Sequence, residues 1–348
     1  AAARSPPCAA RPAAATAGEG AWLTGLLAFP VLLAMGWIFR GLFHAAPADS
    51  GLAQIFQTVL GKVLGGGLTI IYGIWALFLL CLQARLYGER MLATGYRNAS
   101  VTVFLAVLLA LVLWMGRKKL SAFTRATEVF YLALALALGL VLAVSIQDLT
   151  PENVLPVWVS DLPGAAAATL VPLGVAGAGV FMAFLGGQIT VVEGDRRRCV
   201  RWLAAGCLVM AALQFAVLGQ LGPDLSAQLE EPFFEVARGV GINGAFQRVE
   251  SVVVALWAFS DLALLGLLVF ACRNMSETLW GERGRKWSVP VVVALTFLGA
   301  VFLFPDDFTA QGAASEGVLF GNLLLGFGVP ALLRLVQKVK RAGGRAHI

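Results

Sequence analysis

Charged residues are scarce in this sequence: Asp, Glu, Lys and Arg make up 13% of its 348 residues, whereas soluble globular proteins contain about 25%. Hydrophobic residues make up 59%, which is the composition of a chain that lies in a lipid bilayer. The net charge of +6 does not predict nucleic-acid binding, because the charges fall in short segments between apolar blocks and not on one solvated face.

Residues that could support catalysis are also few. Histidine occurs only at His44 and His347, so we expect neither a histidine metal site nor a hydrolase triad. The five cysteines show no C-x-x-C pair and are interpreted as packing thiols rather than disulfides. The sequence has no G-x-x-x-x-G-K-[ST] motif for ATP. We therefore predict a protein that is not an enzyme and that needs no cofactor or metal.

Long apolar blocks dominate the sequence. A transmembrane helix needs about 20 apolar residues, and nine blocks approach that length. The blocks are Trp22–Phe39, Leu68–Leu92, Val101–Met115, Phe123–Ile146, Ala165–Val192, Trp202–Leu221, Phe246–Cys272, Val289–Phe304 and Val318–Val336. We predict an all-α integral membrane protein.

Basic and acidic connectors alternate between these blocks. The basic run at 117–119 is followed by acidic residues within 148–161, then by basic residues at 196–201 and acidic residues within 224–235. Positive charge accumulates on the cytoplasmic side of membrane proteins, which predicts a cytoplasmic C-terminus. Nine spans would then leave the N-terminus outside, although residues 1–20 contain no apolar segment that would carry it across.

An internal repeat is consistent with one further span. An offset of about 180 residues pairs most blocks of the first half with blocks of the second, in the manner of inverted-repeat transporters. The block Ala165–Val192 has no mate, and its mate would begin before residue 1. Chance alignment of apolar blocks is the alternative. We predict a LeuT-like, five-plus-five bundle with nine of ten helices present. Residues 1–20 would be a non-native or truncated tail, 21–336 one transporter-like domain and 337–348 a basic cytoplasmic tail.

The unpaired block is the first candidate site, because Gly174, Gly177 and Gly179 follow Pro172 within it. Inverted-repeat transporters bind substrate where the first helix of each repeat is broken. Close helix packing through small residues is the alternative.

Polar side chains inside other blocks are further candidates, since they are costly in a membrane. Tyr72 and Trp75 lie on one long block, and Trp257 and Asp261 lie on its repeat mate. Asp261 could couple protons, pair with an arginine of a neighbouring helix, or lie near the inner interface. Arg248 and Glu250, at the start of that mate, could act in gating or in packing.

Three segments resemble the spore germination permease family, the B subunits of germinant receptors within the amino acid–polyamine–organocation (APC) superfamily. They are Leu120-Ser-Ala-Phe-Thr-Arg125-Ala-Thr-Glu128, Asn153-Val-Leu-Pro156-Val, and Pro232-Phe-Phe-Glu-Val-Ala-Arg238 leading to Phe246-Gln-Arg248-Val-Glu250. The resemblance covers residues 18 to 336. Gln247 departs from the family, which tends to have Glu-Arg-x-Glu there.

The resemblance implies a ten-helix fold that senses small germinants, often amino acids, beside an A-type and a C-type subunit. It implies a location in the bacterial cell membrane or the spore inner membrane. It also implies a ligand pocket among the first, third, sixth and eighth helices. In this sequence that pocket would contain Gly174, Val175, Gly177, Gly179, Phe181, Tyr72, Trp75, Trp257 and Ser260. A germinant sensor is the leading hypothesis. The alternative is a proton- or sodium-coupled amino-acid permease, which Asp261 would favour.

Overall fold

The computed structural model describes residues 10–47, 49–94, 99–146, 149–155, 158–189, 195–229, 232–239 and 249–345. Within them the chain is helical and contains no strand. The helices are α1 Ala10–Ala17, α2 Leu23–His44, α3 Leu52–Leu60, α4 Lys62–Thr94, α5 Val101–Gly116, α6 Leu120–Ser145, α7 Leu162–Ala168, α8 Leu170–Gly177, α9 Val180–Phe184, α10 Asp195–Gln228, α11 Pro232–Gly239, α12 Val249–Phe302, α13 Asp307–Gly312, α14 Val318–Leu323 and α15 Val329–Arg345.

Seven helical stretches in the described residues are long and apolar enough to cross a membrane. They are Ala14–His44, Lys62–Ala93, Leu120–Ala143, Leu162–Phe184, Asp195–Gln228, Trp257–Phe302 and Val318–Arg341, with Val101–Gly116 as a shorter apolar helix. Each predicted block overlaps one of these ranges, so the prediction of a multi-spanning helical membrane protein is confirmed. The count of nine spans and the five-plus-five repeat stay predictions.

The stretch Trp257–Phe302 contains two predicted blocks because α12 is bent sharply at Gly281. The backbone of Gly281 has φ 64° and ψ −147°, a left-handed conformation that favours glycine. Gly284 packs directly on the carbonyl group of Ser276, and Arg285 pairs with Glu277 at 3.5 Å. Residues eight apart in a straight helix are separated by about 12 Å. The two limbs, 249–280 and 282–302, are therefore separate helices joined by a tight turn.

Close helix contacts are made at glycines, of which the chain has 39. Gly116 of α5 packs between Val269 and Val289 of the two α12 limbs, and Gly266 packs on the ring of Phe123. Lipid tails are as apolar as leucine, so helix association in a membrane depends on close packing, which small residues allow. These contacts hold α5 and α6 against α12.

Helix α1 begins before the first predicted block and packs on the interior of the protein. Ala14 and Ala17 are buried in one cluster with Ala165, Ala168 and Leu218. Gly164 at the start of α7 lies against the backbone of α1. Helix α1 thus supports the segment that carries the candidate glycines. The predicted domain boundary at residue 20 stays a prediction.

Basic side chains of α15 bind the C-terminal ends of two other helices. Arg334 donates to the carbonyl oxygen of Gly41 at 2.6 Å, and Arg341 to that of Ala45 at 2.9 Å, both at the end of α2. Lys340 donates to the carbonyl of Val59 in the last turn of α3 at 2.6 Å. The last four carbonyl groups of a helix lack partners within it and carry partial negative charge. The three cations therefore stabilise both helix ends and fix α15 beside them.

Replacing Arg334 with methionine is expected to destabilise the protein by about 1.5–3 kcal/mol, the range for a hydrogen bond to a charged group. The variant removes the bond to Gly41 together with the bond from the same nitrogen to Gln337 Oε1, and it keeps most of the apolar stem. Thermal unfolding of the detergent-purified protein measures the loss. Lys338→Met is the matched control, since Lys338 lies exposed on the same helix. Equal melting temperatures for the two variants would show that the bond to Gly41 contributes no stability.

Candidate functional site

The Gly- and Pro-rich segment predicted to be broken is three short helices in series, α7, α8 and α9. The backbone at Ala178 and Gly179 stays in the right-handed helical region, with φ near −60° at both residues. The amide of Gly179 donates to Ala176 at 2.9 Å and that of Met182 to Gly179 at 3.0 Å, which is the tighter 3₁₀ pattern. The interruption is thus a change of helix type rather than an extended break. Such a stretch inside a helix often marks a hinge.

Gly177 and Gly326 form a seam, which we call the glycine seam, where α8 packs on the last span. A Cβ atom on Gly326 would lie 2.6 Å from the Cα of Gly177, and a Cβ atom on Gly177 would lie 2.9 Å from the carbonyl carbon of Asn322. On the last span, Leu324–Gly328 is a π-helical segment that follows a first one at Ala313–Gly317. Single-turn π segments occur frequently at functional sites. Two irregular helices therefore meet backbone to backbone in the interior.

An aromatic cluster of Phe56, Tyr72, Phe181 and Phe184 adjoins the seam. Tyr72 on α4 is fully buried, and its hydroxyl donates to the carbonyl oxygen of Leu325 at 2.6 Å. The centroid of its ring lies 5.3 Å from that of Phe56, 5.2 Å from Phe184 and 6.4 Å from Phe181. Tyr72 therefore joins α3, α4, α9 and the π segment of the last span.

Asn322 links α4 to the last span and was not predicted from the sequence. Its side-chain oxygen accepts from Trp75 Nε1 at 2.9 Å, and the residue is 3% exposed. Gly321 gives room to the Trp75 ring, which stacks on Phe78 with centroids 5.1 Å apart. An asparagine between two glycines in an apolar block was the signal that could have found this residue, because a polar side chain in a membrane span is functional by default.

A second group, the carboxylate cluster, consists of Gln83, Arg90, Trp257 and Asp261. Asp261 is 4% exposed. Its two oxygens accept from Arg90 Nη2 at 3.1 and 3.0 Å, and one of them also accepts from Gln83 Nε2 at 2.6 Å. The guanidinium carbon of Arg90 lies 5.8 Å from the centroid of the Trp257 ring. Of the three possibilities for Asp261, the structure forms the pair with an arginine of a neighbouring helix.

The predicted ligand residues are thus divided between two places. Tyr72, Trp75 and Phe181 lie with Gly174 and Gly177 around the glycine seam. Trp257 lies instead beside Arg90, and Trp75 and Gln83, eight residues apart on α4, are separated by about 12 Å along the helix.

Three other predicted residues do not join the seam. Val175, Gly179 and Ser260 are exposed. For Val175 the reason is the helical period, since residues 174 and 177 share a face that residue 175 does not. A single pocket of all nine residues is therefore not formed in the described part of the chain. Arg248 lies outside the described residues, and the side chain of Glu250 is not described.

The bond of Tyr72 can be tested on its own. Tyr72→Phe leaves the carbonyl of Leu325 without this donor, which is expected to cost about 1–3 kcal/mol of stability. The measurement is thermal unfolding of the purified protein. The control is Tyr131→Phe, because Tyr131 is exposed and its ring packs nearly at right angles to that of Trp202. If Tyr72→Phe and the control unfold at the same temperature, the bond from the hydroxyl to Leu325 does not stabilise the π segment.

These features define a helical integral membrane protein whose interior brings together two spans of irregular backbone. The sequence matches the spore germination protein family over residues 5–308, and the chain belongs to this family. It is similar to spore germination protein KB of Bacillus subtilis (strain 168), with 20% identity over 273 residues, which cover 77% of this chain and 72% of that protein. The resemblance predicted from the sequence is confirmed.

Proposed function

We propose that this chain is the germinant-sensing membrane subunit of a spore germination receptor, and that it binds an amino acid between α4, the segment α7–α9 and the last span. The observation that carries the proposal is the meeting of two irregular helices at Gly177 and Gly326, in a chain of the spore germination protein family. Irregular backbone at membrane depth is tolerated where it is buried in protein or lines a cavity.

The polar groups at the glycine seam suit a small zwitterion. Trp75 Nε1 and the Tyr72 hydroxyl are donors for a carboxylate, and the Leu325 carbonyl and Asn322 Oδ1 are acceptors for an ammonium group. In the structure these groups bind one another, Tyr72 to Leu325 and Trp75 to Asn322. A bound amino acid would replace both bonds with its own, while the rings of Phe181 and Phe184 would contact its side chain.

Sensing then follows from competition between two states. In the state without ligand, α4 is bound to the last span through the two internal bonds. A ligand that takes up those groups binds only where the two spans have separated, so it shifts the equilibrium by its differential affinity for the two states. We propose that the A-type and C-type receptor subunits respond to this shift in the spore inner membrane. The five-plus-five LeuT-like fold and the cytoplasmic C-terminus belong to the same proposal.

The alternative, a proton- or sodium-coupled amino-acid permease, depended on Asp261 as a coupling site. Both oxygens of Asp261 are engaged by Arg90, and one also by Gln83. Each oxygen of the carboxylate thus binds a side chain of α4, so a coupling ion could bind there only if these bonds were replaced. This geometry favours sensing, with Asp261 and Arg90 holding α4 against α12 as a gate.

Spores whose other germinant receptors have been removed provide the test. With this chain and its partner subunits they are expected to germinate with at least one of the common amino acids, and without this chain they are not. Proteoliposomes that contain the purified chain are expected to show no amino-acid uptake driven by a proton or sodium gradient. Gradient-driven uptake that is lost in Asp261→Asn would establish the permease function instead.

A further inference from the structure

A basic basin lies at one end of the bundle, away from the glycine seam. The connector 117–119 between α5 and α6 meets the turn at Gly281 there. Two cavities of about 270 Å³ each open at this place, and Arg273 and Arg285 line both of them. A water molecule occupies about 30 Å³ of the liquid, so either cavity can hold a hydrated group of several heavy atoms.

Positive charge exceeds negative charge around both cavities. Besides the two shared arginines, the linings contain Arg117, Lys119 and Lys286 against the carboxylates of Glu277 and Glu282. Glu277 lies 3.5 Å from Arg285 in an exposed ion pair, and the five cations of the two linings still exceed the two carboxylates by three charges. The basin therefore favours an anion.

The guanidinium of Arg273 is held in place in this basin. Its Nη1 donates to the carbonyl oxygens of Gly116 and Lys118, both at 3.1 Å. One nitrogen thus fixes the group and leaves its remaining N–H groups for another acceptor. The side chains of Arg117 and Lys286 are exposed and have no hydrogen bond or ion pair with any described residue. One positioned arginine and two open cations are suited to phosphate, which arginine binds through two parallel bonds.

Two helices also begin at the basin. Helix α6 begins at Leu120, directly after the connector, and the second limb of α12 begins after Gly281. The first amides of a helix lack partners within it and favour anions near them. The end of α5 at Gly116 and the end of the first α12 limb at residue 280 add negative partial charge at the same place. The preference for an anion therefore comes from the side chains.

Exposed tryptophans place the basin at the membrane surface. Trp280 and Trp287, on either side of the turn, are 63% and 69% exposed, and Trp114 near the connector is 62% exposed. Tryptophan is enriched at the headgroup level of membranes. The ammonium group of Lys118 lies 5.0 Å from the centroid of the Trp114 ring, so this exposed ring has a cation beside it. Anionic lipid headgroups carry their phosphates at the same depth.

We propose that this basin is a binding site for a phosphate group, supplied by the headgroup of an anionic lipid, and that the site joins the connector 117–119 to the turn at Gly281. The site is distinct from the proposed germinant site. Four of its five cations are exposed and Arg273 is partly exposed, so a phosphodiester can reach it from the lipid side without entering the bundle.

The experiment uses the full-length protein purified in detergent. Native mass spectrometry measures how many phosphatidylglycerol and phosphatidylcholine molecules stay bound, and calorimetry measures binding of inorganic phosphate. The variant Arg117→Gln/Lys286→Gln removes two charges from the basin. The control Arg197→Gln/Lys338→Gln removes two exposed charges elsewhere.

The unchanged protein and the control are expected to retain phosphatidylglycerol in preference to phosphatidylcholine. The basin variant is expected to bind phosphatidylglycerol at least about tenfold more weakly, since each basic residue near a membrane surface contributes about 1 kcal/mol. Binding of inorganic phosphate that is lost in the basin variant would also support the site, with a soluble anion as its ligand. Equal phosphatidylglycerol retention by the two variants, without phosphate binding, would overturn the proposal.

Discussion

Spores in which Gly177 is replaced by leucine are expected to lose the germinant response that depends on this chain. A Cβ atom at residue 177 would clash with the carbonyl group of Asn322, and the Cα of Gly177 lies against Gly326. The last span would have to move away from α8, because its backbone cannot give way as the end of a flexible side chain can. Overpacking of this kind costs about 1–3 kcal/mol and sometimes more. A shift of that size changes the ratio of two conformations by at least about fivefold.

The control for this variant is Gly206→Leu. Gly206 lies within α10, and a Cβ atom there meets no other atom within 4 Å. Both variants make the same chemical change inside an apolar helix, and both are expected to reach the membrane in amounts like the unchanged protein. Germination is followed as the fall in optical density of a spore suspension after the amino acid is added. A normal response from the Gly177→Leu spores would exclude the glycine seam as the site of sensing.

Removal of Arg90 is the second change with a large expected effect. Arg90→Gln leaves Asp261 buried with Gln83 as its remaining partner from α4, and breaking one side of a buried ion pair costs about 3–5 kcal/mol. The double variant Arg90→Gln/Asp261→Asn removes both charges and is expected to recover most of that loss. Thermal unfolding of the unchanged protein, of the single variants Arg90→Gln and Asp261→Asn, and of the double variant gives the coupling energy between the two side chains.

The exposed pair Asp195–Arg198 is the control. Its charged atoms lie 3.8 Å apart, with side chains 32% and 65% exposed, and such pairs contribute about 0–1 kcal/mol. Arg198→Gln is therefore expected to melt close to the unchanged protein. If Arg90→Gln also melts close to the unchanged protein, or if adding Asp261→Asn to Arg90→Gln restores no stability, the pair does not hold α4 against α12. Asp261 would then again be a candidate for ion coupling.

The sequence predicted the spans and those site residues that stand out within their own apolar block. Hydropathy located the spans, and the Gly and Pro content of the fifth block pointed to Gly174 and Gly177, which the structure places against the last span. Tyr72 and Trp75 were predicted because polar side chains are costly inside a membrane span and because of the resemblance to the family. Those partners, the carbonyl of Leu325 and the amide of Asn322, lie about 250 residues away along the chain.

The rest depended on contacts that no spacing reveals. Arg90 lies 171 residues before Asp261, and from its position alone it could have been a charge at the end of the span. Trp257 and Ser260 were included in the predicted pocket because of the family resemblance, which likewise does not reveal contacts between helices. The resemblance supplied the helices but not the rotation of each one, and a helical face is set by packing against its neighbours. The turn at Gly281 likewise depends on a positive φ that glycine allows but does not require.

The most direct test of germinant sensing at the glycine seam is equilibrium binding of labelled amino acids to the full-length protein, purified together with its receptor subunits. Each common amino acid is titrated separately against the unchanged protein, Gly206→Leu and Gly177→Leu. At least one amino acid is expected to bind saturably to the first two proteins and at least about tenfold more weakly to Gly177→Leu, which corresponds to about 1.4 kcal/mol. Equal binding to all three proteins, or saturable binding of no amino acid to the unchanged protein, would contradict the proposed site.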